Sequence, residues 1–414
     1  MAKVLVLSTH DSHMRGHGWQ TAESLKEKGH ETCLVTLFKT SSDTENYFYD
    51  ATKLYGFAAL WKKMLPYLTC MFTGKRPDIH AFASTHLFGV SAKRILEKCP
   101  FKPDFIDLKW TDNFLKEETI ADLQKLTGAE IIFSFVDEAY LAACHYPANC
   151  DKWKTGCHHC KALRINKWLA TRCMRDRNKY WKDINGAVIC SPHEDVLVKD
   201  SSFLKNKKIF LYVGVPTIPY YSPKEEARLF FGISNNDFVL FAGANSFKGK
   251  RKGMSVLADA SRIIADKIEK GVIQEDRRIT LLLIGNGVER VKFDKRLNII
   301  SRPFLTSEHF FKAYYACDIH VSPSLADSGP VMVNYSFACK RPVVAFPVGV
   351  ASTLVKDGET GFLADYGNAN DLADKIIDLY NMDKVSISEM GDHCLELLNS
   401  YKGIDAPFYK YLNK

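Results

Sequence analysis

Short continuous apolar runs alternate with stretches of helical periodicity along most of the chain. The first run, KVLVLS at 3–8, has no polar break and suits a strand buried on both faces. A polar, glycine-containing loop follows, THDSHMRGHG. A helical pattern over 19–28 then ends at Gly29, and HETCLVTLF reads as a second strand. This is a βαβ opening. Further strands are predicted in DFIDLKW (104–110), EIIFSF (130–135), GAVICS (186–191) and KIFLYV (208–213).

The stretch VGVPTIPYYSP at 213–223 interrupts this rhythm. Its three prolines deny ladder donors and end regular structure, so it reads as a domain boundary. After it the alternation restarts with DFVLFAGA, a helix over 253–270, ITLLLIG, a Gly-x-Gly turn at Gly285 and Gly287, LNIISR, and the sequence DIHVSPS–GPVMVNYSFAC–RPVVAF as strand, helix, strand. The pattern predicts an α/β protein with two Rossmann-like parallel-sheet domains facing a central cleft. The domains are 1–213, with a Cys-rich insertion at about 144–160, and 214–400. A helix at 401–414 is expected to cross back to the first domain.

Composition narrows the class without naming a function. The 414 residues are 46% hydrophobic and 25% charged, which suits a globular chain of two or three domains. No apolar window reaches the length of a membrane span. The first apolar run is six residues long and reads as a strand, not a signal peptide, so a cytosolic location is expected. Most of the twelve cysteines are then expected to be thiols, with Cys33, Cys70, Cys99 and Cys317 as packing residues. The net charge of +8 suits anionic substrates or an anionic membrane face. Nucleic acid is not expected, since no binding module is legible and the charge forms no stripe over a domain.

Two stretches carry candidate chemistry. GANSFKGKRKG puts Lys248, Lys250, Arg251 and Lys252 between a strand and a helix, where fixed cations could hold a phosphate. SPSLADSGP carries Ser322, Ser324, Asp327, Ser328 and Gly329 just before a helix, whose first N–H groups suit an anion. Either alone could be a solvated turn.

Together with their surroundings these stretches resemble bacterial glycosyltransferases of family 4, the retaining GT-B group that builds capsules and lipopolysaccharide. FAGANSFKGKRKGMSVLADA is similar to the family's strand–loop–helix with Arg-Lys-Gly. SPSLADSGPVMVNYSFACKRPVVAF and LVKDGETGFLADYGNANDLADKI look like its donor-side segments. PDFIDLKWTDNFL and CHYPANCDKWKTGCHHC resemble a subgroup with a Cys-rich insertion. The resemblance implies a GT-B fold and transfer of a sugar from a nucleoside diphosphate sugar, with retention and no metal needed for catalysis. It puts the donor mainly on the C-terminal domain and a glycan or lipid-linked acceptor on the N-terminal one. It implies that Arg251 and Lys252 grip the phosphates, with Asp327 the first acid of the family's pair. Ser328 and Gly329 would lie beside the donor, and Gly16 and Gly18 would belong to a glycine-rich loop over the reacting sugar.

The chain departs from the family's pattern at several places. Tyr335 stands where the second acid binds the ribose; a phenol carries no charge near neutral pH. The family's His-Asp pair is missing before the insertion: Phe135 holds the histidine's place, Asp137 is a displaced partner, and the first histidine is His145. Ala142-Ala143 replaces a Gly-Gly, and Lys340 stands where a helix-ending glycine is expected. These losses suit either an altered donor preference or a catalytically degenerate GT-B protein that binds a partner transferase or a glycan. A sugar-nucleotide epimerase on the same architecture is a third reading, without legible acid–base groups.

Cys144, Cys150, Cys157 and Cys160 fall within seventeen residues, the last two as Cys-x2-Cys. Four thiolates could close a tetrahedral structural zinc site, with His145, His158 and His159 as substitutes. Two disulfides or four packed thiols are the alternatives. The stretch 152–182 reads as basic and helical with interleaved aromatics, and 55–77 is apolar and edged by Lys62, Lys63, Lys75 and Arg76. Either could touch an anionic membrane face peripherally or hold a lipid diphosphate acceptor, and the first reads equally as a solvated helix face with core anchors. His10, Asp11, His13 and His17 fit no metal pattern and read as polar lining, with Asp11 a candidate acceptor contact.

Overall fold

The computed structural model describes residues 1–10, 17–38, 71, 89–112, 114–146, 150–160, 163, 165–216, 218, 220–273, 276–303, 305, 307–329 and 331–413. Asp11, His13, Gly16, Cys70, Lys161 and Arg164 lie outside them, as does the stretch 55–77 apart from Met71. The chain divides into two units: Met1–Tyr212 with Ile404–Lys414, and Val213–Gly403.

The N-terminal unit is built on six parallel strands: β1 (Lys3–His10), β2 (Glu31–Phe38), β3 (Phe105–Leu108), β4 (Glu130–Ser134), β5 (Gly186–Ile189) and β6 (Lys208–Leu211). Their order is β2-β1-β3-β4-β5-β6. The continuous apolar runs are explained by burial from both sides: all four residues of β3 and of β5 are buried. Between β1 and β2 the helix His17–Glu27 packs so tightly that a Cβ on Gly18 would stand 2.7 Å from the Cβ of Ser8. Gly18 therefore serves close helix–strand approach. The last helix, Ala406–Leu412, lies in this unit. Its Phe408 and Tyr411 rings pack on Phe210, and the Tyr411 hydroxyl donates to Glu130.

The C-terminal unit repeats the design with β7 (Phe238–Ser246), β8 (Ile279–Asn286), β9 (Asn298–Arg302), β10 (Ile319–Ser322), β11 (Val343–Ala345) and β12 (Gly361–Leu363). The order is β12-β11-β10-β7-β8-β9, all parallel. In each unit the first strand sits inside the sheet, with the chain running outward on one side before returning to the other. Such a reversal leaves a crevice at the carboxyl ends of the two central strands, where doubly wound sheets hold ligands.

One local expectation changes. The stretch 152–182 is not one helix. A single 3-10 turn, Lys152–Thr155, gives way to positive φ at Gly156, Cys157, His159 and Asn166, and the helix runs only over Trp168–Tyr180. Left-handed residues at that density cannot continue a right-handed helix. Lys340 does adopt the left-handed conformation its glycine-like position demands, at φ 56°.

Candidate functional site

In the C-terminal unit the reversal point lies between β7 and β10, and the two basic and serine-rich loops leave those two strands. The loops are stitched together by the Arg251 carbonyl, which accepts from the Leu325 N–H at 2.7 Å and the Ala326 N–H at 3.4 Å. The Arg251 guanidinium donates to Asp327 Oδ2 at 3.0 Å and to the Ala326 carbonyl at 3.1 Å, while the Lys252 ammonium donates to the same carboxylate oxygen. Burial works against ionisation of Asp327, but Lys252 and Arg251 hold its pKa below the usual carboxylate value. Asp327 is thus a fixed anion that gathers two cations. The cations keep an outer face: their side chains are 30% and 26% exposed, against 11% for Asp327.

Glycines allow this close approach. Gly253 has φ +63°, and a Cβ there would stand 1.7 Å from the Pro323 carbonyl oxygen. A Cβ on Gly349, after β11, would stand 2.5 and 2.4 Å from the carbonyl oxygens of Asp327 and Ser328. Beside the basic loop, the Gly285–Gly287 turn at the end of β8 borders a cavity of about 820 Å³ that Ser301, Arg302 and Pro303 at the end of β9 also line. The Lys248 stem passes 3.4 Å from where a Cβ on Gly287 would stand. A cavity of that volume has room for a nucleotide-sized ligand.

Ser328 is fully buried, and its hydroxyl has no hydrogen-bond partner among the described residues. Tyr335, on the helix Val331–Ala338, packs edge-on against Phe311 at 5.2 Å and neighbours Phe310 and Tyr314. Burial raises its pKa. In the N-terminal unit Phe135 is buried at the end of β4, its ring 5.9 Å from Tyr140.

The N-terminal unit has its own reversal point, between β1 and β3, and a constellation there that sequence spacing does not signal. Thr9, at the end of β1, is tied to the segment after β3: its N–H donates to the Trp110 carbonyl at 2.6 Å and its hydroxyl to that of Asp112 at 2.8 Å. His145 is clamped between two carboxylates, Nε2 at 2.6 Å from Asp112 and Nδ1 at 2.7 Å from Asp137. Burial works against the imidazolium, but Asp112 and Asp137 override it and push the pKa well above the ordinary histidine value. Asp137 also caps the turn after it, through the Ala139 N–H at 2.8 Å. The fully buried Arg177 holds the same segment, donating to the Ala139 and Ala142 carbonyls at 2.6 and 2.7 Å. The Trp110 indole, 42% exposed, stands edge-on to His145 at 5.7 Å.

Next to this clamp, Cys144, Cys157 and Cys160 are buried and Cys150 is partly so, all outside disulfides. Burial raises the Cys144 thiol pKa, and the charges of the other three cysteines act in the same direction. Among the described residues no group of three or more His, Cys, Asp or Glu side chains is arranged to hold a metal ion.

Over residues 236–382 the chain matches the family model described as glycosyl transferases group 1. It is 28% identical to an uncharacterised glycosyltransferase of Methanocaldococcus jannaschii over 188 residues, 44% of this chain and 46% of that protein. It is 30% identical to a D-inositol 3-phosphate glycosyltransferase of Pseudarthrobacter chlorophenolicus over 176 residues, 41% and 40% of the two chains. The match thus spans less than half the length of these relatives. Among solved structures, the sucrose-phosphate synthase of Thermosynechococcus elongatus aligns over 100% of this chain and 98% of its own, with TM-score 0.65 and 14% identity. HepE of Anabaena in complex with UDP-glucose aligns over the full length of both chains, at 0.61 and 15%. The fold is GT-B, with two Rossmann-like domains, and the chain is related in sequence to glycosyltransferases.

Proposed function

We propose that the protein is a retaining glycosyltransferase that moves a sugar from a nucleoside diphosphate sugar to a growing cell-surface glycan or glycolipid. The observation that carries this reading is the meeting of Arg251, Lys252 and Asp327 at the reversal point of the C-terminal sheet, where both cations keep an exposed face. Structural relatives solved with UDP or UDP-glucose support the donor class.

In this reading Asp327 orients Arg251 and Lys252 and relieves their mutual repulsion, and the donor diphosphate meets their exposed faces. The bond from the anomeric carbon to the β-phosphate oxygen breaks and the electron pair leaves with the diphosphate. The two cations stabilise that developing charge. The acceptor hydroxyl attacks from the side the diphosphate leaves, and its proton passes to the departing phosphate oxygen, so configuration is retained. Removing one such donor costs on the order of 100–1000-fold in rate.

The test is a thermal-shift panel of UDP, GDP, CMP and dTDP with their sugars, on the wild type and on Arg251→Ala and Lys252→Ala. One nucleotide should raise the wild-type midpoint and neither variant should respond to it. Absence of any shift in the wild type favours the second reading, a degenerate GT-B scaffold. That reading draws on Tyr335, whose ring lies in an aromatic cluster where the resembling family has a ribose-binding acid.

A further inference from the structure

A groove of about 740 Å³ opens in the N-terminal unit where the cysteine-bearing turn meets the helix Trp168–Tyr180. His158 and His159 line it from the turn, and Lys167, Trp168, Arg172 and Arg175 from the helix. Positions 168, 172 and 175 are spaced i, i+4, i+7 and share one helical face. No acidic residue lines the groove. Asp176 beside it is shared by Arg172 and Arg175, each at 3.4 Å, which leaves a surplus of positive charge before either histidine is protonated. The helix begins at Lys167 without a side-chain cap and with no acid in its first turn, so its dipole adds to that surplus. Two large apolar side chains are displayed at the same place: Trp168 is 56% exposed and Ile165 48%.

We infer that this surface docks on a bilayer rich in anionic lipid headgroups. Lys167, Arg172 and Arg175 meet the headgroup phosphates, while Trp168 and Ile165 enter the interfacial layer. Charge complementarity selects an anionic partner. The exposed indole and sec-butyl chain select a lipid surface over a dissolved anion. A soluble phosphate gains nothing from an exposed apolar side chain, whereas an indole flanked by basic residues matches the chemistry of a membrane–water interface. No helix among the described residues is long and apolar enough to cross a membrane, so the contact is peripheral. This inference stands apart from sugar transfer, and its test contains no sugar nucleotide.

The full chain is floated with vesicles of phosphatidylcholine alone and with vesicles that also contain phosphatidylglycerol. It should rise only with the second, less so at high salt, and the emission of Trp168 should shift to the blue. Arg172→Gln with Arg175→Gln should weaken partition about thirty-fold, from the usual contribution of a basic residue near an anionic surface. Trp168→Ser should weaken it too and abolish the blue shift. The control Lys93→Gln with Lys199→Gln, which removes as much charge from other exposed positions, should float like the wild type. Both arginines lie on the surface, at 52% and 72% side-chain exposure, so an unchanged melting temperature verifies folding of the double variant. Equal flotation with both vesicle types, no loss in the arginine variant, or an equal loss in the lysine control overturns the inference. So does a Trp168 response to inorganic pyrophosphate from a protein that floats with neither vesicle, because the groove then takes a soluble anion.

Discussion

The two units reverse strand order at equivalent places and equip those places in opposite ways. At the carboxyl ends of β1 and β3 the charges are answered internally: His145 spends both ring nitrogens on Asp112 and Asp137, and Arg177 spends one nitrogen on two carbonyls of the same segment. At the carboxyl ends of β7 and β10 one buried carboxylate gathers two cations that keep exposed faces. The first arrangement fixes a backbone and presents Trp110. The second holds positive charge ready for a partner. A shared topology therefore determines where a ligand edge lies, while the ratio of acids to bases determines whether that edge is closed or receptive.

Several measurements can break or sharpen the contrast. His145→Ala should have the largest effect. It leaves two buried carboxylates facing an empty position and should destabilise the N-terminal unit by about 3–5 kcal/mol in denaturant unfolding. Retention of wild-type stability would mean that the clamp is not a closed ionic unit. Next comes Gly253→Ala, which meets both a left-handed backbone and the Pro323 carbonyl. The conformation alone costs roughly 1–2 kcal/mol. Because the clash moves Arg251 and Lys252 relative to Asp327, nucleotide binding should fall more than stability does.

The pH dependence of the two sites should have opposite sign. The raised folded pKa of His145 gives stability that is complete below its ordinary value of 6.5 and is lost as pH rises through the folded value. The lowered folded pKa of Asp327 gives stability that is present above 3.8 and is lost as pH falls through the folded value. Unfolding curves of His145→Gln and Asp327→Asn against the wild type should therefore converge at opposite ends of the pH scale. The smallest effect should come from Lys340→Gly. It relieves a left-handed lysine and, at the cost of an exposed ion pair with Asp392 at 2.7 Å, should raise stability by about 1 kcal/mol without touching either site.

Much of the scaffold was legible because buried parallel strands write themselves as unbroken apolar runs. KVLVLS, GAVICS and ITLLLIG are all strands. The short β12 escaped notice, since three residues beginning with glycine carry little signal. The cationic half of the C-terminal site was legible too, because Arg251 and Lys252 are adjacent and Asp327 lies in a recognisable loop. The Gly285–Gly287 turn reads as simple punctuation; it borders the cavity because β8 lies beside β9. Tyr335 stands in the sequence where the resembling family has its ribose ligand, and its ring packs against the helix Ser307–Ala316, a contact that no local pattern encodes.

The sequence by itself determined the order of strands and helices, the break near 213 and the cluster of positive charge after β7, since these are properties of neighbouring residues. Only the tertiary structure decided that Asp112, Asp137 and His145 close on one another and that Asp327 is neutralised by both cations. Hydrogen bonds and ion pairs act over about 3 Å, and residues far apart in the chain reach that range only when parallel strands bring their carboxyl ends side by side.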